Sequence, residues 1–491
     1  MRRPAGFAFP VKCLAPILVA CLAACDAEPP DAAGTSERAG ASEQTAPRDD
    51  RPHVVVVVLD TTRADLLSAY GHEVRTSPNL DGLAREGALF TRAYSTDFWT
   101  LPAHASLFTG RYPSEHGATS ESNHFPDLAP TLAGSLAASG YRTAAFVANP
   151  WLSRANGFDR GFQRFEESWR GKKPEGHHDR DCVESASRFI RTQARAGRPF
   201  FLFVNINLPH LPYRPSTEAL HAVAPRPRSI ERVRAARDVV GMWEYLGGAF
   251  ALDDEDFAIL RDLYRGELRS ADELLGTLVE ALRAAEILDD TLVIVTSDHG
   301  ENIGERGMID HLLSMYETTL RIPLVIRYPE RFEAGAVRDD LVSLVDIAPT
   351  VLEVAGVEGV ETSGRSLLDP EAAAPGFVVA ENERPLNAIE LMASNYPDFD
   401  TASVDGPMRT LLTDRYKLIW KETRGVELYD LVDDPEELRD LQAAKPELRD
   451  ELLRELQAWR AARADRVPAP PAPAPQLGEA AEQLRALGYL E

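Results

Sequence analysis

One threonine stands where a hydroxyl group could act as a nucleophile. Thr100 opens the stretch TLPAHASLFTGR, and Pro102 suits the first turn of a helix because no amide donor is needed there. The sequence therefore predicts Thr100 at the amino terminus of a helix, where backbone amides favour an anion. A threonine hydroxyl is a poor nucleophile near neutral pH unless a bound cation lowers its pKa. Chemistry at Thr100 therefore calls for metal ligands elsewhere in the chain.

Carboxylate and imidazole side chains follow two apolar runs. Asp60 comes directly after the run at 54–59, and Asp298 and His299 come shortly after the run at 292–296. A carboxylate oxygen beside an imidazole nitrogen suits zinc or manganese better than calcium. Each piece also has an ordinary interpretation, because an aspartate at a strand end commonly caps a turn and His299 could be a polar loop residue. Together with the threonine, they favour a metal site.

The apolar runs also predict the elements that position these side chains. Unbroken β-branched and aromatic runs are typical of strands buried on both faces of a parallel sheet, and they cover residues 54–59, 143–147, 200–204, 292–296 and 324–326. Helical patterns lie between them at residues 128–139, 182–196 and 256–285. This alternation predicts an α/β fold with a mostly parallel central sheet flanked by helices. Ligands bind such sheets beyond the carboxyl ends of the strands, where Asp60 and Asp298 stand.

The amino terminus has the pattern of a bacterial lipoprotein. Basic residues precede an apolar run at 13–24 that is shorter than a membrane-spanning helix requires. The run ends in LAAC, which resembles a lipobox, so Cys25 is the predicted site of lipid attachment and the predicted membrane anchor. We expect a protein of the bacterial cell envelope that faces the periplasm or the exterior.

Composition limits the partners and the cysteine chemistry. The formal net charge is -24 at pH 7, which argues against nucleic acid or an acidic membrane surface as the main partner. An anionic substrate would need local positive charge, from a metal or from clustered His and Arg.

Cys182 is the only cysteine left in the folded part after the signal peptide and the lipid site are counted. It lies in an amphipathic stretch and is predicted to be a buried structural thiol.

Beyond about Gly364 the pattern changes to shorter segments. Strand-like stretches precede a helical pattern and predict a smaller α+β subdomain; they lie at 408–413, 415–421 and 425–431, with the helix at 446–463. Residues 214–248 lack clean periodicity and predict either an insertion over the ligand edge or a surface excursion. The expected parts are a signal peptide (1–24), a disordered tether (25–51), the α/β catalytic domain (52–363), the C-terminal subdomain (364–465), and a Pro/Ala-rich spacer with a short terminal helix (466–491).

Four motifs occur in the order seen in a known family. They are VVVVVLDTTRAD, TLPAHASLFTGRYPSEHG, NLPHLPY and SDHGENIGERGMIDH. In these motifs the chain resembles the sulfatase family of the alkaline phosphatase superfamily, over a span from about His53 to Tyr429. Four spaced motifs in order are hard to obtain by chance. The resemblance implies the sulfatase-like α/β fold and the hydrolysis of sulfate or phosphate esters.

The resemblance also implies a ligand set. Asp60, Thr100, Asp298 and His299 would hold one divalent metal ion, with zinc ahead of manganese, calcium or magnesium. Thr100 would complete the metal shell and serve as the nucleophile. Its substrate would be an anionic ester on a glycan, a lipid or a small molecule.

Three histidines complete the implied site. His210 matches the family histidine that contacts the oxygens of the transferred group; otherwise it is a turn histidine between two prolines. His311 has the offset from Asp298 of a substrate-binding histidine in phosphoethanolamine transferases, which also use a threonine; otherwise it is a surface residue. His104 stands where typical sulfatases have an arginine. These histidines would bind the equatorial oxygens or protonate the leaving group.

The departures from the family bear on the reaction. Thr100 stands where typical sulfatases carry a residue that becomes formylglycine, whose hydrate expels sulfate through a second hydroxyl that threonine lacks. Water can open a phosphothreonine by attack at phosphorus with the help of a metal, so chemistry alone somewhat favours phosphate over sulfate esters. Two alternatives stay open: a phosphoethanolamine-like transferase of the envelope, and an inactive sulfatase-fold binding protein. The presence of Asp60, Asp298 and His299 argues against the inactive protein.

Overall fold

The computed structural model describes residues 49–170, 177–225, 228–311, 313–369 and 376–466. Its strands are β1 (His53–Leu59), β2 (Ala88–Tyr94), β3 (Arg142–Val147), β4 (Arg164–Glu167), β5 (Phe200–Ile206), β6 (Thr291–Thr296), β7 (Asn302–Ile303), β8 (Ile309–Asp310), β9 (Arg321–Arg327), β10 (Ala336–Arg338), β11 (Val342–Ser343), β12 (Phe377–Asn382), β13 (Met408–Thr413), β14 (Tyr416–Lys421) and β15 (Gly425–Asp430). Its α-helices are α1 (Pro78–Glu86), α2 (Thr100–Thr109), α3 (Pro113–His116), α4 (Leu132–Ala138), α5 (His177–Ala194), α6 (Thr217–Val223), α7 (Val239–Leu246), α8 (Asp254–Ala284), α9 (Glu317–Leu320), α10 (Ile347–Val354), α11 (Leu386–Asn395) and α12 (Pro446–Ala461).

Several predictions concern residues outside these ranges. The signal peptide, Cys25, nearly all of the tether, and the C-terminal spacer with its terminal helix lie outside the described residues. They stay predictions. No helix among the described residues combines the length and the apolar character that a membrane crossing requires.

The central sheet is mixed but mostly parallel. Its strand order is β10-β2-β9-β6-β1-β5-β3-β4, and β11 also pairs with β2. Among these pairings only those of β9 are antiparallel, with β2 on one side and β6 on the other. The predicted α/β class is therefore confirmed. The run at 324–326 forms part of β9, whose direction could not be predicted, because an apolar run reports burial and not strand direction.

Alternating side chains of β1 face two layers of helices. Val54, Val56 and Val58 belong to one core cluster, with apolar residues of α2, α4 and α10. Val55 and Val57 belong to the other, with residues of α1, α5 and α8. Both faces of this strand are therefore buried, which is why its sequence is apolar without alternation.

Some element predictions differ from the structure in extent. The helix expected at 128–139 is shorter, because Thr131 caps the amino end of α4 and accepts a hydrogen bond from the Gly134 amide. The strand β2 was not predicted, since the half-buried Thr91 and Arg92 interrupt its apolar run. Cys182 is fully buried inside α5, as predicted, and burial raises the pKa of its thiol.

The segment at 214–248, predicted as an insertion or an excursion, contains α6 and α7. The Tyr245 hydroxyl of α7 donates a hydrogen bond of 2.7 Å to the Gly307 carbonyl. Gly307 lies in the turn between β7 and β8. The segment therefore packs against the hairpin that ends just before His311.

The C-terminal part forms a small antiparallel sheet in the order β12-β13-β14-β15, against which α12 packs. The three predicted strands and the helix are present with boundaries that differ by at most two residues, whereas β12 was not predicted. In β12, the Glu381 amide donates to the Thr96 carbonyl at 2.8 Å, and the Asn382 amide group donates to Asp97 at 3.0 Å. The small sheet thus contacts the segment that leads into Thr100.

Candidate active site

The predicted site residues meet at one edge of the central sheet. The strands β6, β1, β5 and β3 are successive neighbours and run parallel, so their carboxyl ends lie side by side. Asp60 follows β1, and Asp298 and His299 follow β6. This is the edge at which open α/β sheets bind ligands.

Each buried carboxylate of this edge has one oxygen held in place and one without a partner. Asp60 Oδ2 accepts hydrogen bonds from Asn149 Nδ2 at 2.9 Å and from Asn205 Nδ2 at 3.1 Å. Asp298 Oδ1 accepts from the backbone amides of Thr61 at 3.1 Å and of His299 at 2.9 Å. Asp60 Oδ1 and Asp298 Oδ2 are buried without a hydrogen-bond partner. Two such oxygens are costly unless a cation binds them.

His299 offers a nitrogen to the same place. Its Nδ1 lies 3.0 Å from the Gly300 carbonyl oxygen, which can only accept, so Nδ1 carries the proton and Nε2 carries the lone pair. Burial lowers the pKa of His299 to about 3, which keeps the ring neutral. Ligand atoms of Asp60, Asp298 and His299 all lie within 4.8 Å of one another. The residues present therefore fit a divalent metal ion.

The ionisation of the two buried aspartates also supports a metal ion at this place. Burial raises the pKa of Asp60 well above its ordinary value, and the charge of Asp298 raises it further. Two buried aspartates beside each other disfavour double ionisation. A divalent cation would reverse this effect, because it favours both carboxylates in their charged form.

Thr100 lies at the start of α2, as predicted. Its side chain is 1% exposed, and its Oγ1 lies 3.3 Å from His299 Nε2. Trp99 precedes the helix in an extended conformation. The structure therefore brings the predicted nucleophile to the predicted metal ligands, although 199 residues separate Thr100 from His299 in the chain.

His104 lies one helical turn beyond Thr100. Its Nδ1 donates to the Thr100 carbonyl at 2.9 Å and lies 3.6 Å from Asp298 Oδ2. The ring is fully buried and contacts the rings of Phe158 and Phe203 edge-on. These contacts place His104 beside Asp298 and beneath the nucleophile; its contact with substrate stays a prediction.

His210 and His311 lie together next to the ring of His299. The His311 ring is 4.3 Å from the His299 ring and 5.4 Å from the His210 ring, centre to centre. Both side chains are nearly buried, so the interpretation of His311 as a surface residue is wrong. His210 Nδ1 donates to the Leu211 carbonyl at 2.7 Å. The Nε2 atom of the neutral ring therefore carries a lone pair.

Several residues of the site were not predicted. Asn149 and Asn205 hold Asp60, and Glu301 and Asp310 both contact His311. A signal existed for Asn149, which follows the predicted strand at 143–147 just as Asp60 follows its own strand. Asn205 is a single amide in an apolar run, which is commonly the mark of a buried polar contact.

Buried carboxylates hold both ends of the loop that carries His210. Asp179 accepts a hydrogen bond from the Asn207 amide, and Glu267 accepts one from the Arg214 amide. Burial raises the pKa of Asp179 to about 6 and the pKa of Glu267 to about 8.

Glu267 should make the folded protein less stable as the pH rises. An unfolded glutamate releases its proton near pH 4.5, whereas folded Glu267 keeps it up to about pH 8, so the free energy of unfolding falls between these values. Glu267→Gln keeps a carbonyl acceptor for the Arg214 amide and should flatten that decline. Urea unfolding at a series of pH values measures it, with Glu273→Gln on the exposed face of α8 as the control. An unchanged slope in Glu267→Gln would contradict the assignment.

Comparisons with known proteins place this geometry in context. The sulfatase family model matches residues 52–357, and a model of the C-terminal region of N-sulphoglucosamine sulphohydrolase matches residues 304–462. The N-acetylglucosamine-6-O-sulfatase of Bacteroides thetaiotaomicron is 25% identical, over 80% of this chain and 82% of that protein. A multifunctional alkaline phosphatase superfamily protein of Trinickia caryophylli is 29% identical, over 65% of this chain and 76% of that protein.

The fold is also similar to solved structures. The crystal structure of the phosphonate monoester hydrolase of Agrobacterium radiobacter superimposes with a TM-score of 0.65 at 24% identity, over 84% of this chain and 96% of that chain. At this level of identity the likeness concerns the fold.

Proposed function

The chain belongs to the sulfatase family, and from that membership and the geometry of the site we propose that it is a metal-dependent hydrolase of phosphate or sulfate esters with Thr100 as its nucleophile. One observation carries the proposal: Thr100 Oγ1 lies 3.3 Å from His299 Nε2, which forms one cluster with Asp60 and Asp298, and each of these aspartates has a buried oxygen without a hydrogen-bond partner. A hydroxyl in that position is the group that a bound cation would activate.

Asp60, Asp298, His299 and Thr100 are the proposed metal ligands. The two carboxylate oxygens and the neutral imidazole nitrogen form a set that suits zinc best, ahead of manganese, magnesium or calcium. When bound, a divalent ion lowers the pKa of a hydroxyl and neutralises charge on the attacked group.

The proposed reaction has two steps. In the first, the Thr100 oxygen loses its proton to water and forms a bond to phosphorus or sulfur, while the bond to the leaving oxygen breaks. The leaving oxygen takes a proton from His311. In the second, water attacks the same centre and gives a proton to the histidine, while the bond to Thr100 breaks and the threonine oxygen takes a proton from solvent. Backbone amides at the start of α2 favour the anionic group throughout.

The same residues suggest the class of substrate. Water can release a phosphoryl group from threonine by attack at phosphorus, whereas a sulfothreonine lacks the elimination route of a formylglycine hydrate. We therefore propose phosphate monoesters or diesters ahead of sulfate esters. Glycan, lipid and small-molecule esters all fit this chemistry. We further propose that lipid attached to Cys25 holds the enzyme at the bacterial envelope.

Turnover of three model esters tests this function. The purified protein should hydrolyse an aryl phosphate or a bis-aryl phosphodiester with a larger kcat/KM than the aryl sulfate of the same phenol. The same leaving group in all three removes differences in leaving-group pKa. Faster turnover of the sulfate would contradict the phosphate preference, and no turnover of any ester by the metal-loaded protein would contradict the proposed function.

A further inference from the structure

The hairpin β7–β8 holds a contact network around His311 that the proposed mechanism does not use. Asp310 Oδ1 lies 2.5 Å from His311 Nδ1, and Glu301 Oε1 lies 3.3 Å from the same nitrogen. All three side chains are at most 3% exposed. Nδ1 donates to Glu301 and forms an ion pair with Asp310, whose Oδ1 also accepts a hydrogen bond from the His311 backbone amide at 2.5 Å. This side of the ring is therefore fully engaged.

The backbone at Asp310 is held in an unfavourable conformation. Its φ is 74°, in the left-handed region that residues with a β-carbon rarely adopt. The Asn302 amide group donates to the Asp310 carbonyl at 2.6 Å and to Ser314 Oγ at 3.2 Å, and Thr318 Oγ1 donates to Asn302 Oδ1 at 2.7 Å. Strain that is held in place by a surrounding network is typical of functional positions.

The ring that these carboxylates hold lies inside the site. His311 stacks at 4.3 Å on the ring of His299, which belongs to the metal cluster, and contacts the ring of His210 at 5.4 Å. An imidazole has its two nitrogens on opposite sides, so holding Nδ1 decides where Nε2 points.

We propose that Asp310, with Glu301, is a positioning residue that fixes the His311 ring so that Nε2 faces the group transferred to Thr100. This inference rests on the proposed function, because it assigns to Asp310 an effect that acts only through His311. A carboxylate that holds one imidazole nitrogen sets both the tautomer and the orientation of the other.

The same three residues could instead hold a second cation, since their ligand atoms lie within 4.8 Å of one another. The contacts favour positioning. The imidazole nitrogen that such a cation would need is Nδ1, and it already meets both carboxylates. Glu301 Oε2 is also buried without a hydrogen-bond partner, like Asp60 Oδ1 and Asp298 Oδ2. The difference lies in the imidazole: His299 offers the lone pair of Nε2 to its cluster, whereas Nδ1 of His311 carries a proton toward Glu301.

A double-mutant cycle tests the proposal. Asp310→Asn and Asp310→Gly remove the carboxylate but suit a positive φ, so neither introduces backbone strain. Each should lower kcat by about 10- to 100-fold with a smaller effect on KM. In a His311→Gln background, Asp310→Asn should cause no further loss.

Three results would overturn the positioning role of Asp310. If Asp310→Asn lowers kcat by the same factor with and without His311, the residue acts through the fold and the proposal is overturned. A metal content that falls from two ions per chain to one in Asp310→Asn overturns it in favour of a metal site. If His311→Gln is fully active while Thr100→Ala is inactive, the positioning role fails and the nucleophile stands.

A matched control comes from another strained acidic residue. Glu286 has a φ of 59° and is exposed, away from the site. Glu286→Gly should relieve similar backbone strain and leave kcat unchanged. An equal loss of kcat in this control would show that the loss in Asp310→Gly comes from backbone flexibility, and would overturn the proposal.

Discussion

Thr100→Ala should lower kcat by roughly a thousandfold or more, because the substitution removes the hydroxyl that is proposed to form the covalent intermediate. The fold should survive. Alanine has the highest helix propensity, and the change removes only a hydroxyl and a methyl group at the first position of α2. Metal should still bind through Asp60, Asp298 and His299. Initial rates on the best aryl ester, with metal content measured on the same samples, check the result.

Thr100→Ser is the matched variant, since it keeps the hydroxyl and loses one methyl group. It should keep activity within about tenfold of the wild type because the hydroxyl remains. The expected loss comes from the χ1 angle of serine, which is less restricted than that of threonine. Acid quenching during turnover, followed by mass spectrometry of the peptide that contains residue 100, should find the esterified hydroxyl in the wild type and in Thr100→Ser. Activity of Thr100→Ala close to that of the wild type would show that another group, or water, attacks the substrate.

Metal removal should have the second large effect. Chelation should abolish turnover and lower the melting temperature, because Asp60 and Asp298 are buried side by side and burial raises the pKa of Asp60 well above its ordinary value. A ligand that binds only the folded state stabilises it by about 2.7 kcal/mol when its free concentration is about 100 times its Kd. Added zinc should therefore restore both activity and the melting temperature.

Asp298→Asn tests whether the stabilisation by zinc comes from the cluster of Asp60, Asp298 and His299 or from metal bound elsewhere on the protein. The variant should lose metal and should melt at the same temperature with and without zinc. Asp272→Asn is the control: Asp272 is also buried, but it accepts hydrogen bonds from the Asn79 and Leu80 amides, away from the cluster. This variant should keep its metal content even if it is less stable. A wild type whose melting temperature does not respond to any divalent ion would contradict the metal site.

The sequence alone determined which residues could do the chemistry and roughly where they stand. Apolar runs predicted the strands β1 and β6, and the residues that follow parallel strands meet at one edge of a sheet. Asp60, Asp298 and His299 could therefore be placed together before any coordinates were known. Pro102 likewise predicted that Thr100 begins a helix.

Contacts between distant segments could be decided only by the tertiary structure. Asn149 and Asn205 hold Asp60 because β5 and β3 follow β1 in the sheet. Hydrophobic periodicity does not reveal the order of strands in a sheet. For the same reason the antiparallel direction of β9 was not predictable.

Side-chain direction is the other part that the tertiary structure decided. The sequence motif identified His311 as a candidate site residue. The φ of Asp310 and the fold of the β7–β8 hairpin, which the motif does not reveal, place the carboxylates of Asp310 and Glu301 next to His311 Nδ1. His104, which was grouped with His210 and His311 in the sequence, lies within α2 beside Asp298, 3.6 Å from its Oδ2. A sequence pattern reports burial and spacing along the chain, whereas orientation depends on rotamers and backbone angles that packing selects.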